Sequence, residues 1–152
     1  RNMLLWNGGC HVHEKFSVEA IVKLKKEHPE AVVMAHLECK APVLAVADVK
    51  GSTATMLNYA KEHSEIKEYI IATEAGILHE LERNCPDVTF YPVPPEVSEG
   101  GVGCSCNECE YMKMNTLKKI YNALKYGWPT VEVEENIAKE AVKPIEKMLS
   151  LS

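Results

Sequence analysis

The sequence predicts an α/β fold of three-layer αβα type, with helices on both faces of short parallel sheets. Two observations predict it. Short runs at 3–6, 31–35 and 69–72 are apolar throughout, as strands covered on both faces are. Between such runs lie stretches with the 3.6-residue periodicity of amphipathic helices, and strands that alternate with helices form parallel βαβ units.

Taken in order, the run at 3–6 is the first strand and leads into a Gly/Cys/His-rich loop at 8–13. Ser17 reads as an N-cap, Val18, Ile21, Val22 and Leu24 form one stripe, and Phe16 is placed to staple onto Ile21. The second strand is 31–35, and a helix starts near Ser52. The strand at 69–72 precedes a stripe of Ile77, Leu78 and Leu81; the run at 88–91 is a further strand. Residues 92–103 are too rich in Pro and Gly for regular structure. A third stripe is Leu117, Ile120, Tyr121 and Leu124, a strand is expected at 130–133, and Ala138, Ala141, Val142, Ile145 and Leu149 form a fourth stripe. Pro144 interrupts that stripe and predicts a kink or a break. The expected organisation is one α/β unit over 1–51, a connecting helix over 52–64, and a second α/β unit over 65–152.

A chain of 152 residues with 46% hydrophobic residues can bury a core. Its net charge is −5, and basic residues are interspersed with acidic ones. That pattern gives no electrostatic footprint for nucleic acid or a membrane surface, so small-molecule partners are expected. No run approaches the roughly 20 apolar residues of a membrane span, and no secretory signal pattern is present; the expected location is the cytoplasm.

The six cysteines are unevenly spaced, and Cys104, Cys106 and Cys109 crowd into a C-x-C-x-x-C run. In a reduced protein that spacing points to metal, with zinc and iron–sulfur both open. Cys85, beside Pro86 at a helix end, reads as structural.

Parallel α/β folds bind ligands at the carboxyl ends of their strands. Here those ends carry Gly8-Gly9-Cys10-His11-Val12-His13, then His36-Leu37-Glu38-Cys39, then Thr73-Glu74. Gly51-Ser52-Thr53 opens a helix whose free N–H groups attract a carboxylate or phosphate. Each has a plain alternative: a helix cap at Ser52, solvated pairs at His36/Glu38 and His13/Glu14, small buried residues at Cys10 and Cys39. Together they place four loops on one side of the fold.

Trp6-Asn-Gly-Gly-Cys10-His-Val-His13-Glu14-Lys-Phe16, His36-Leu-Glu38-Cys39, Gly51-Ser52-Thr53, Ala72-Thr-Glu-Ala-Gly76 and Cys109-Glu-Tyr-Met112-Lys-Met114-Asn115-Thr-Leu117, in this order and at these separations, resemble the quinolinate synthase family. The resemblance covers essentially the whole chain. It implies three similar α/β domains around a pseudo-threefold axis, of which this chain matches the second and third. The implied activity is that of a transferase of NAD biosynthesis, condensing iminoaspartate with dihydroxyacetone phosphate and closing the ring to quinolinate. An aspartate oxidase or aspartate dehydrogenase is the implied upstream supplier.

The resemblance further implies a [4Fe–4S] cluster held by one cysteine from each domain. Cys10 and Cys109 match the second and third ligands, and the first is expected from the absent domain. Through the same resemblance His36, Leu37, Glu38, Ser52 and Thr53 are substrate-binding residues, and His36, Glu38 and His13 are catalytic candidates. Leu37 stands where the family often has proline. Cys39, Cys104 and Cys106 match no family ligand. Without its first domain the chain is expected to be inactive. The rival reading from the residues is a non-catalytic module binding zinc or an iron–sulfur group through Cys104, Cys106 and Cys109.

Overall fold

The computed structural model describes residues 8–96 and 107–151. The strand expected at 3–6, and the thiols of Cys104 and Cys106, lie outside the described residues. The chain divides into two compact units, Arg1–Lys113 and Met114–Ser152.

The first unit contains a four-stranded sheet: β1 (Val32–His36), β2 (Val49–Gly51), β3 (Glu68–Ala72) and β4 (Thr89–Pro92). Its order is β2-β1-β3-β4 and every pairing is parallel, with Met34 opposite both Val49 and Ile71. The alternation along the two central strands explains their continuous apolar character. Val33, Ala35, Ile70 and Ala72 enter one apolar cluster, while Met34, Tyr69 and Ile71 enter the other. Helices α1 (Val18–Glu27) and α2 (Ala41–Val46) cover the first face, and α3 (Thr53–Glu62) and α4 (Ile77–Asn84) the second. The result is the expected αβα layering.

Local chemistry fixes the helix starts. Ser17 accepts a hydrogen bond from the Ala20 N–H, and Phe16 and Ile21 are buried in the same cluster, as a staple between the N′ and N4 positions requires. Val22 does not belong to that stripe: it is exposed. Ser52 caps α3 through the Thr55 N–H. The short elements α2 and β2 were not anticipated, because 41–50 is one small-residue apolar stretch with no period to separate six helical residues from three in a strand. Asp48 resolves it, accepting a hydrogen bond from the Val33 N–H at 2.8 Å while donating its own N–H to the Val33 carbonyl at 2.9 Å.

The helix expected over 52–64 is α3, and it joins β2 to β3; strands before and after it share one sheet. The short α5 (Glu110–Lys113) ends the first unit.

The second unit holds α6 (Leu117–Tyr126) and α7 (Glu135–Leu149). Thr116 caps α6, and Gly127 ends it at φ 63°, a left-handed conformation that suits glycine. One expectation is corrected here. Residues 130–133 form no strand; Val131 is 89% exposed and has no neighbouring strand to pair with among the described residues. Of the kink or break expected at Pro144, there is no break: α7 runs through it, since the single N–H that proline lacks leaves the flanking turns to continue. Apart from the half-buried Ala138, the predicted stripes are exposed in both helices.

Candidate functional site

The site is built at the carboxyl ends of β1 and β3 and on the segment before α1. His13 lies in a 3-10 turn (His13–Lys15) held by hydrogen bonds from the Glu14 N–H to the Cys10 carbonyl (3.0 Å) and from Lys15 N–H to the Val12 carbonyl (3.2 Å). This turn buries His13 to 6% exposure. Its Nε2 is 2.9 Å from Thr73 Oγ1, just past β3. Its ring stacks on that of His36, the last residue of β1, at 4.5 Å between centroids and 21° between planes. Burial lowers the His13 pKa below its ordinary value, and the neighbouring His36 lowers it further, so the ring is held neutral.

Glu38 approaches both rings. Its Oε2 is 3.2 Å from His13 Nδ1 and 3.6 Å from His36 Nδ1. The Glu38 backbone N–H donates to His36 Nδ1 at 3.3 Å, which places the His36 ring proton on Nε2. His13 Nδ1 is different: it is buried and has no partner in hydrogen-bond geometry, although Glu38 is close.

His13, His36, Thr53, Thr73, Glu74, Gly76 and Met112 help line a cavity of about 550 Å³. A second, of about 390 Å³, is bordered by Gly8, Gly9, Cys10 and Glu38. The donor atoms of Cys10, His13 and Glu38 all lie within 4.8 Å of one another. A Cβ at Gly9 would meet only the end of the flexible Glu14 side chain, whereas one at Gly51 would come within 2.5 Å of Thr55 at the start of α3.

The predicted residues fall into groups. His13, His36 and Thr53 share the larger cavity, and Glu38 joins it to the smaller one through the two rings. Ser52 spends its hydroxyl on Thr55, accepting from that residue's N–H at 3.2 Å. Leu37 is 60% exposed and does not line the larger cavity. Cys109 is buried in the apolar cluster against which Cys10 packs. Cys39 is buried in that cluster too, donating its thiol to the Ala72 carbonyl at 3.4 Å, and burial pushes its pKa up to about 11.

Thr73 and Glu74, which follow β3 directly, carry functions that the sequence alone does not assign. Thr73 is 1% exposed and orients His13. Glu74 accepts hydrogen bonds from the Gly76 N–H (2.7 Å) and the Cys109 N–H (3.3 Å), while the Ala75 N–H donates to the Asn107 carbonyl (3.0 Å). The usable signal was a polar pair directly after a fully apolar strand.

Comparison with known proteins identifies the family. Residues 1–150 match the family model described as quinolinate synthetase A protein. Curated relatives called quinolinate synthase are 43% identical in Microcystis aeruginosa, 45% in Nostoc punctiforme and 44% in Chloroherpeton thalassium, each over all 152 residues. The chain spans 45–46% of the length of those relatives. A family match over residues 1–150, with relatives of that name 43–45% identical along the whole chain, assigns the chain to the quinolinate synthetase A protein family.

Proposed function

We propose that these residues supply the second and third domains of a quinolinate synthase, in which iminoaspartate and dihydroxyacetone phosphate condense, lose water and cyclise to quinolinate. The observation that carries the reading is the meeting of His13, His36, Thr53 and Thr73 around one cavity, with Glu38 against both rings. His36 offers its Nε2–H to a substrate carboxylate. The Thr53 hydroxyl and the free N–H groups opening α3 bind a second anionic group, a carboxylate or the phosphate. Glu38 moves protons, being the ionisable group nearest both rings. His13, neutral and held by Thr73, fixes the stack. Leu37 serves through its backbone between His36 and Glu38.

Cys10 and Cys109 would hold the [4Fe–4S] cluster with a third cysteine from the first domain. Their shared apolar surroundings and the glycines beside Cys10 fit a bulky thiolate-bound group. When bound, an iron without a protein ligand supplies Lewis acidity suited to elimination of water. An aspartate oxidase or aspartate dehydrogenase would supply iminoaspartate, in the cytoplasm. Inactivity of the 152 residues alone belongs to the same proposal.

The test is turnover by this chain joined to a family first domain and reconstituted anaerobically. Quinolinate is expected, with a loss of about 10²–10⁴-fold on Glu38→Gln. Unchanged turnover in that variant would remove Glu38 from the reaction.

A further inference from the structure

Cys10, His13 and Glu38 have a geometry that the proposed cluster does not use. Cluster ligation there needs only the Cys10 thiolate. Yet His13 Nδ1 is buried, has no hydrogen-bond partner, and faces Glu38 Oε2 at 3.2 Å. If His13 Nε2–H donates to Thr73 Oγ1, Nδ1 presents a lone pair to a carboxylate oxygen; two such acceptors repel unless a cation lies between them. Nitrogen and oxygen ligands about 2.0–2.1 Å from a tetrahedral zinc sit about 3.3 Å apart, close to the observed separation. The third donor, Cys10 Sγ, lies within 4.8 Å of the other two. Thr73 supplies the outer partner that metal-bound histidines use to fix their tautomer.

We propose that Cys10 Sγ, His13 Nδ1 and a Glu38 carboxylate oxygen form a site for a single divalent cation of borderline softness, zinc being the type, with water completing the tetrahedron. One thiolate, one imidazole and one carboxylate favour zinc over calcium or magnesium, which take oxygen donors, and over copper(I), which takes sulfur. The thiol proton leaves to solvent as the metal binds. Because the site shares Cys10 with the proposed cluster, occupation by zinc and by the cluster exclude each other.

The test is titration of the metal-free, reduced 152-residue chain with cobalt(II), read by its visible ligand-field bands and thiolate charge-transfer band, followed by zinc competition. One cobalt per chain is expected, with tetrahedral band intensity. Glu38→Gln, at an exposed side chain whose loss leaves the fold intact, and His13→Gln should each weaken binding roughly tenfold or more, and Cys10→Ser should remove the charge-transfer band. Cys109→Ser should change nothing. Binding insensitive to Glu38→Gln and His13→Gln, or binding lost with Cys109→Ser, overturns the proposal, the latter by assigning the metal to the C-x-C-x-x-C run. Iron and sulfide loading of the form joined to a first domain separates this from the cluster reading: it should survive Glu38→Gln and be lost in Cys109→Ser.

Discussion

The carboxylate of Glu74 accepts the backbone N–H of Cys109 at 3.3 Å, across 35 residues of sequence. A residue at the end of a central strand thereby positions one of the two cysteines matched to cluster ligands. Because Cys109 precedes α5 and follows a Pro/Gly-rich stretch, its position depends on such bonds and on burial of its side chain.

Glu74→Ala removes a charged acceptor from two N–H groups. Thermal or denaturant unfolding should show a loss of about 1.5–3 kcal/mol, towards the lower value because Glu74 is partly exposed. In the form joined to a first domain, iron content should fall as well. Unchanged stability and iron content would show that the apolar cluster alone holds Cys109.

Ser52 and Thr53 are adjacent but should separate experimentally. Ser52→Ala removes the cap of α3 and should cost about 1 kcal/mol of stability. Thr53→Ala should leave stability nearly unchanged and weaken quinolinate binding by about 1.5–3 kcal/mol in the joined form, measured by calorimetry. Equal affinity in the Thr53 variant would reduce this pair to a cap.

Gly51→Ala places a Cβ 2.5 Å from Thr55 Cβ and Cγ2, at the junction of β2 and α3. The neighbouring atoms belong to the first turn of α3, so the start of the helix must shift. A loss of about 1–3 kcal/mol is expected from chemical denaturation; a variant as stable as its parent would show that α3 moves freely.

Cys39 should be inert to alkylation at pH 8, since its thiol is buried and its pKa is pushed up to about 11 by burial. Among the four described cysteines the half-buried Cys10 should react first, as mass spectrometry of digested protein would reveal. The same shift makes a stability statement. Between pH 9 and 11 the unfolded chain releases this proton while the folded chain keeps it, so stability falls as pH rises through that window. Cys39→Ala should flatten this slope; rapid labelling of Cys39 would instead mean that the β1–α2 turn opens readily.

The layered fold was legible because Val33, Met34 and Ala35 alternate between two buried faces, which requires an apolar residue at every position. β2 was not, since its three residues owe their pairing to Met34, Ala35 and His36, none of which is near it in sequence. The stripes of α6 and α7 were legible as helices, but periodicity alone does not state what an apolar face packs against. At the site, His36 and Glu38 stood out through the family resemblance, since by themselves they read equally well as a solvated pair after a strand. Thr73 did not: a lone threonine after an apolar run carries no chemical signature until His13, 60 residues away, is seen to meet it.

Cys10 and Cys109, one on either side of the sheet in sequence, are proposed to serve one cluster. Iron and sulfide analysis with Mössbauer spectroscopy, on the chain joined to a family first domain and reconstituted anaerobically, decides the matter. One [4Fe–4S] cluster per chain is expected in the parent and none in either Cys10→Ser or Cys109→Ser; full iron and sulfide content in either single variant would show that the two cysteines do not share a cluster.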